Sequence, residues 1–311
     1  FLYYYNSKKQ VPDAGIFELV IYLIFTTTEI RGEWKMRSWY RETRYECGDY
    51  MDVMIYPVYT KSPVRRKKAK PTSDVQQKLN EMYAEEKLIR IANANFTPRD
   101  YKVELTYSKD HLPKTDEEAE RDLTNYLRRV KRYRKQHGMS ELKYIAVTEK
   151  GTRSGRYHHH LIMSGDITLF DLVALWGKGI VGSDLLVFDE NGIANLVKYM
   201  MKQLREFLGK KKYKRSRNMI DPPPKKRDNR FSKKSVIELA KDTENRTEYD
   251  KLYDGYHLAS ASASFNDVNG GVFLRMRYYK KEAAWCRQKG SNRQRYSAGL
   301  SLQKNSTPNS D

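Results

Sequence analysis

TEKGTRSGRYHHHLIMSG, residues 148–165, reads as two strand ends joined by a turn, and it spends three of the six histidines of a 311-residue chain. The Gly and Ser residues of KGTRSG suit a hairpin turn, so ELKYIAVTE (141–149) and RYHHHLIM (156–163) are expected to pair antiparallel. Side chains two apart on a strand share a face: His158 and His160 point together, and His159 points the opposite way. Two imidazoles on one face suit a divalent metal, and they equally suit buried, hydrogen-bonded histidines. The hairpin also folds Glu149 back beside His158, which offers two nitrogens and one carboxylate with coordination positions left open. Such a set holds Zn²⁺, Mn²⁺ or Fe²⁺, and Mg²⁺ more weakly, so it does not choose the metal. An ordinary surface glutamate at a strand end is the plain alternative.

Outward from the hairpin, YKVELTYS (101–108) alternates Val103, Leu105 and Tyr107 against Glu104 and Thr106, the pattern of a half-buried strand. A helix is expected over 116–136, with Ala119, Leu123, Tyr126, Leu127, Val130 and Tyr133 at spacings of three and four. Its other side carries Arg128, Arg129, Lys131, Arg132, Arg134 and Lys135, which serve either as a solvated face or as DNA contacts. LFDLVALW (169–176) reads as a helix, LLVF (185–188) as a short strand, and DENG leads into a helix from Ile193 to about Phe207. Upstream, YMDVMIYPVYT (50–60) reads as a strand and 75–93 as a helix; downstream, 256–265 and 271–279 read as a hairpin. The order strand, helix, strand, strand, helix, strand, helix implies an α+β domain with a mainly antiparallel sheet covered by helices.

The helix after Gly192 has one apolar stripe, Ile193, Leu196, Val197, Met200, Met201, Leu204 and Phe207, and Tyr199 stands off it with Lys202 on the same polar side. An amphipathic surface ring is one reading. The other is a nucleophile: a tyrosine hydroxyl, with a pKa near 10, attacks phosphorus only when a cation polarises the electrophile and the geometry is held. A metal on His158, His160 and Glu149 supplies the cation in that reading, and Lys202 positions or neutralises charge around Tyr199.

Lys plus Arg number 59 against 39 Asp plus Glu, a formal charge of +20, which favours a phosphate polymer as partner over a merely basic surface. The charge is clustered in RRKKAKP, with Arg65, Arg66, Lys67 and Lys68, and in a segment that includes Lys210, Lys211, Lys212, Lys214 and Arg215. Two cysteines, Cys47 and Cys286, give neither a paired zinc spacing nor a disulfide framework and suggest an intracellular chain. FELVIYLIF (17–25) is too short for a bilayer span, and residues 1–35 read as upstream or loosely attached sequence with the natural start at Met36. The organisation expected is an extension (1–35), a basic arm and helix (36–95), a catalytic domain (96–208), a basic linker (209–234), a hairpin region (235–283) and a disordered tail (284–311).

ELTYS (104–108), GRYHHHLIM (155–163) and KYMMK (198–202), in this order, resemble the three motifs of HUH endonucleases, specifically the single-tyrosine rolling-circle replication initiators of bacterial plasmids and phages. The resemblance runs over about 96–208, and the stretch to about 280, with SRNMIDPP, is similar to replication-associated proteins of that group. It implies an RRM-like (ferredoxin-like) HUH fold and Mg²⁺ or Mn²⁺ on His158, His160 and Glu149. It further implies Tyr199 as nucleophile with Lys202 beside it, and Thr106 as scaffold or DNA contact. The activity implied is nicking and joining of single-stranded or cruciform origin DNA through a 5′-phosphotyrosine, in a bacterial cytoplasm, with a host helicase and DNA polymerase. No GxxxxGK[ST] phosphate loop for a fused helicase occurs in the chain. His159 departs from the family pattern, where the middle residue is bulky and apolar. The rival readings are a single-tyrosine transposase or relaxase, a metal-dependent hydrolase with a water nucleophile, and a non-enzymatic nucleic-acid binder.

Overall fold

A computed structural model describes residues 38–60, 74–151, 155–202, 213–266 and 271–283. Two five-stranded antiparallel sheets, each flanked by helices, make the α+β architecture that the sequence implies. The first sheet holds β3 (Tyr101–Thr106), β4 (Tyr144–Lys150), β5 (Tyr157–Met163), β6 (Val181–Leu185) and β7 (Lys214–Arg215), in the order β6-β3-β5-β4-β7. The second holds β1 (Ser38–Cys47), β2 (Tyr50–Tyr59), β8 (Lys225–Asp228), β9 (Tyr256–Asn266) and β10 (Gly271–Lys280), in the order β8-β1-β2-β10-β9.

One face of the first sheet packs Val103, Leu105, Leu161 and Met163 against α2 (Asp116–Gln136) and α3 (Leu169–Trp176). Helix α2 starts where TDEE dictates: Thr115 accepts from the Glu118 backbone N–H at 3.2 Å, and the Glu118 carboxylate takes the Lys114 N–H at 2.7 Å. On the opposite face Ile145, Val147 and Ile162 meet α1 (Asp74–Asn95) and α4 (Ala194–Lys202) in a core that also includes Cys47 and Tyr50 of the second sheet. The short helices α5 (Lys233–Lys241) and α6 (Arg246–Asp250) close the other side of the second sheet over Val53, Ile55, Leu274 and Tyr278.

Several expectations change. LLVF is no strand: β6 ends at Leu185, and beyond it Leu186 and Phe188 turn into the core while Val187 is exposed. The alternation of LLVF survives because its backbone leaves the ladder with Leu186 N–H on Asp100 O, while burial keeps its period. Strand β1 lies where the sequence suggested no element, since SWYRETRYEC hides its strand behind charge. Residues 36–95 are more than an arm and helix: β2 pairs with β10 of the C-terminal hairpin, so the two ends of the described chain build one sheet. The 210–234 segment is not simply extended, because Lys214–Arg215 pairs with β4 and Lys225–Asp228 with β1. The α4 helix is described to Lys202; Leu204, Phe207 and the residues Arg65, Arg66, Lys67, Lys68, Lys210, Lys211 and Lys212 lie outside the described residues, as do 1–37. Among the described residues, no helix is long and apolar enough to cross a membrane.

Candidate active site and its family relationship

The β4–β5 register sets Glu149 directly opposite His158, as the hairpin reading required. The hydrogen bond runs diagonally instead, from Glu149 Oε2 to His160 Nε2 at 2.9 Å. On the other side of β5, β3 places Glu104 opposite His160 and Thr106 opposite His158. Glu104 therefore joins the same face, with Oε1 at 3.8 Å from His158 Nδ1. The sequence reading counted Glu104 as the polar half of an alternating strand; that the strand lies beside β5, and so brings a second carboxylate to the histidines, is a fact of sheet order.

Helix α4 crosses this face. It starts at a turn fixed by Asn93 at the end of α1, whose Oδ1 accepts the Ile193 N–H at 3.0 Å. Gly192, at φ +72°, lies so close to Asn93 that a Cβ there would meet its Oδ1 at 2.3 Å, so the turn requires glycine on both counts. Val197, Met200 and Met201 are buried, Leu196 is half-buried, and Lys202 is exposed. Tyr199 is 46% exposed, and its ring stands edge-on to His160 with centroids 5.8 Å apart. The tyrosine set apart from the stripe in sequence is thus brought to the histidine pair.

The donors stand as two couples, His160–Glu149 and His158–Glu104, and among the described residues no three His, Cys, Asp or Glu side chains are gathered closely enough to hold an ion as placed. Their chemistry still fits a divalent ion: two imidazoles and two carboxylates converge on one face, and among the described residues the buried Nδ1 atoms of His158 and His160 have no hydrogen-bond partner.

His159 occupies the opposite face, fully buried among Tyr107 and Trp176. Burial, reinforced by Lys214 and the two neighbouring histidines, pushes its pKa down to about 3, so it is neutral. Thr148 gives its proton to Glu120 at 2.6 Å, so His159 Nδ1–H donates to Thr148 Oγ1 at 3.0 Å and Nε2 accepts from the Tyr107 hydroxyl at 2.8 Å. Tyr107 keeps that proton, since burial and Asp122 raise its pKa. Such a residue is a satisfied core histidine, which explains how the sheet tolerates a polar side chain where an apolar one would pack.

The remaining site expectations divide. Thr106 is structural in this arrangement: its hydroxyl lies 3.3 Å from Ile180 O, and its carbonyl accepts the Trp176 indole at 2.8 Å. Arg128 and Arg132 are exposed on α2. Arg129 instead caps α3, with Nε on Leu175 O at 2.7 Å, and Arg134 is buried with Nη1 on Gly165 O at 2.6 Å. Lys214 is tied to Glu120 at 2.5 Å and Thr124 at 2.9 Å, and Arg215 lies 3.8 Å from Asp221. A run of like charge read along one helix face hid which guanidinium reaches a carbonyl on another element.

The segment from the start of β3 to just past α4 carries every residue of this site. Residues 100–204 match the family model of the replication-associated protein ORF2 group. That match supports a replication-associated protein as the coarse character of the segment. No curated protein and no solved structure matches the chain.

Proposed function

We propose that the protein is a rolling-circle replication initiator, an HUH-type enzyme that nicks and rejoins single-stranded origin DNA through Tyr199. The observation that carries this reading is the half-exposed Tyr199 standing edge-on to His160, over a face that gathers two imidazoles and two carboxylates. The family match at 100–204 and the +20 charge both favour DNA as substrate.

In this mechanism Tyr199 Oη forms a bond to the scissile phosphorus as the bond from phosphorus to the 3′ oxygen breaks. The tyrosine proton ends on that oxygen, leaving a 5′-phosphotyrosine and a free 3′-hydroxyl for a host polymerase. His158, His160 and Glu149 hold Mg²⁺ or Mn²⁺, and Glu104 is a fourth candidate donor. A bound ion withdraws charge from the scissile phosphate. Lys202, three residues along the helix, is placed to balance the charge of the phosphotyrosine. A second tyrosine is missing within one turn of Tyr199, where positions 195, 196, 202 and 203 are Asn, Leu, Lys and Gln, so rejoining uses another protomer or a separate event. Arg128 and Arg132, with the arm Arg65–Lys68 and the lysines 210–212, hold phosphates along the strand; unwinding falls to a host helicase in the bacterial cytoplasm.

Labelled single-stranded DNA from the protein's own replicon, incubated with Mn²⁺, Mg²⁺ or chelator and run on a denaturing gel, tests the proposal. A metal-dependent covalent adduct is expected, and Tyr199→Phe should reduce it by about 10⁴-fold or more, the scale on which loss of a nucleophile is felt. Cleavage without an adduct would replace this reading with a hydrolase that uses water, and binding without cleavage would replace it with a DNA-binding protein.

A further inference from the structure

The helix that carries Tyr199 has another exposed side, away from the histidines. Asn195 and Lys198 of α4 border a cleft of about 450 Å³ whose floor is the second sheet and whose far wall is α1. The register of that sheet sets Ser260 and Ser262 of β9 opposite Arg277 and Arg275 of β10, so hydroxyls and guanidinium groups share this face. The two arginines differ. Arg277 is buried and neutralised, with Nε on Asp52 at 2.8 Å and Nη2 on Glu86 at 2.9 Å. Arg275 lies over the ring of Tyr83, 5.2 Å from its centroid, with Nη1 at 2.7 Å from Met82 Sδ, and no described carboxylate pairs with it.

The acids of the cleft are thus matched by Arg277, while Arg275 and Lys198 remain as surplus positive charge beside a ring that is 47% exposed. A phosphate beside such cations gains charge complementarity, and a base gains a π face on which to stack; together they are the requirements of a single strand and not of a duplex. Lys198 and Tyr199 are consecutive residues, so a strand held at the tyrosine has only to cross α4 to enter the cleft.

We propose that this cleft binds the single-stranded DNA adjoining the scissile phosphate, with a base on Tyr83 and phosphates on Arg275 and Lys198. The proposal rests on Tyr199 being a DNA-nicking residue, but its test does not. Binding of a long fluorescein-labelled oligo-dT to the full chain is measured by anisotropy in chelator, where no cleavage intervenes, across a range of salt. Tyr83→Ala is expected to weaken binding about ten-fold, the scale of one lost base stack. Lys198→Ala should lower the salt slope by about 0.7, one phosphate contact, whereas Lys251→Ala, an exposed cation next to α6, should change neither. With 4-thiothymidine in the strand, photocrosslinks should map to Met82 or Tyr83. Unchanged affinity in Tyr83→Ala with crosslinks elsewhere overturns the cleft, even if the Tyr199 adduct forms; weakened affinity with no adduct keeps the cleft and overturns the nicking mechanism.

Discussion

The two faces of β5 hold the same side chain in opposite circumstances. His159 is fully buried with both nitrogens satisfied, while His160, one residue on, is 5% exposed with Nδ1 lacking any described partner and Nε2 on a carboxylate. A satisfied imidazole in a packed core stabilises the fold, and an incompletely satisfied pair beside carboxylates is available for chemistry. The difference arises from the strand's period of two and from what covers each face: α2 and α3 on one side, α4 with its tyrosine on the other.

The sharpest way to break this comparison is to exchange which histidine is lost. His159→Ala is expected to cost about 2–5 kcal/mol, because it opens a cavity and strands the groups that it bonded. Thermal unfolding should shift down by several degrees, while His158→Ala and His160→Ala keep the melting temperature within a degree or two and lose metal-dependent nicking. A melting loss in His160→Ala equal to that in His159→Ala would erase the distinction. A smaller effect sharpens the open face: Glu104→Gln should weaken Mn²⁺ binding by about 10–100-fold, as loss of a group next to a metal ligand does, and calorimetric titration with Mn²⁺ alone would read it. If Glu104→Gln binds Mn²⁺ as the parent does, Glu104 has no part in the site.

The smallest effect is a dependence on pH. An unfolded His159 takes its proton near pH 6.5, whereas the folded one resists it down to about 3. Above pH 6.5 both states are neutral and the residue adds no dependence; below it the unfolded chain binds one proton more, so stability falls with pH by on the order of 1 kcal/mol per unit. Urea unfolding between pH 6.5 and 5 should therefore be less steep in pH for His159→Gln than for the parent. Equal slopes would mean that His159 is protonated in the fold.

Residues 101–176 were the most legible part of the chain. Helices 116–136 and 169–176 follow from unbroken three-and-four spacing and from threonine caps, and the β4–β5 hairpin from its turn and alternation. Legibility failed where charge masks a strand, as in β1, and where apolar alternation outlasts the ladder, as in LLVF. At the site, the pairing of Glu149 with the histidine strand was readable because a hairpin joins near neighbours. Glu104 was not, since nothing local states which strand lies on the far side of β5.

What the sequence by itself determined, then, is the set of local elements, the shared face of His158 and His160, and the separation of Tyr199 from its helix's apolar stripe, all consequences of backbone periodicity. Only the tertiary structure decided that β3 lies beside β5, that α4 lies across their common face, and that the β1–β2 and β9–β10 hairpins close into a second sheet. Those contacts join residues tens to hundreds of positions apart, and they are selected by mutual burial and hydrogen-bond satisfaction, which no local pattern encodes.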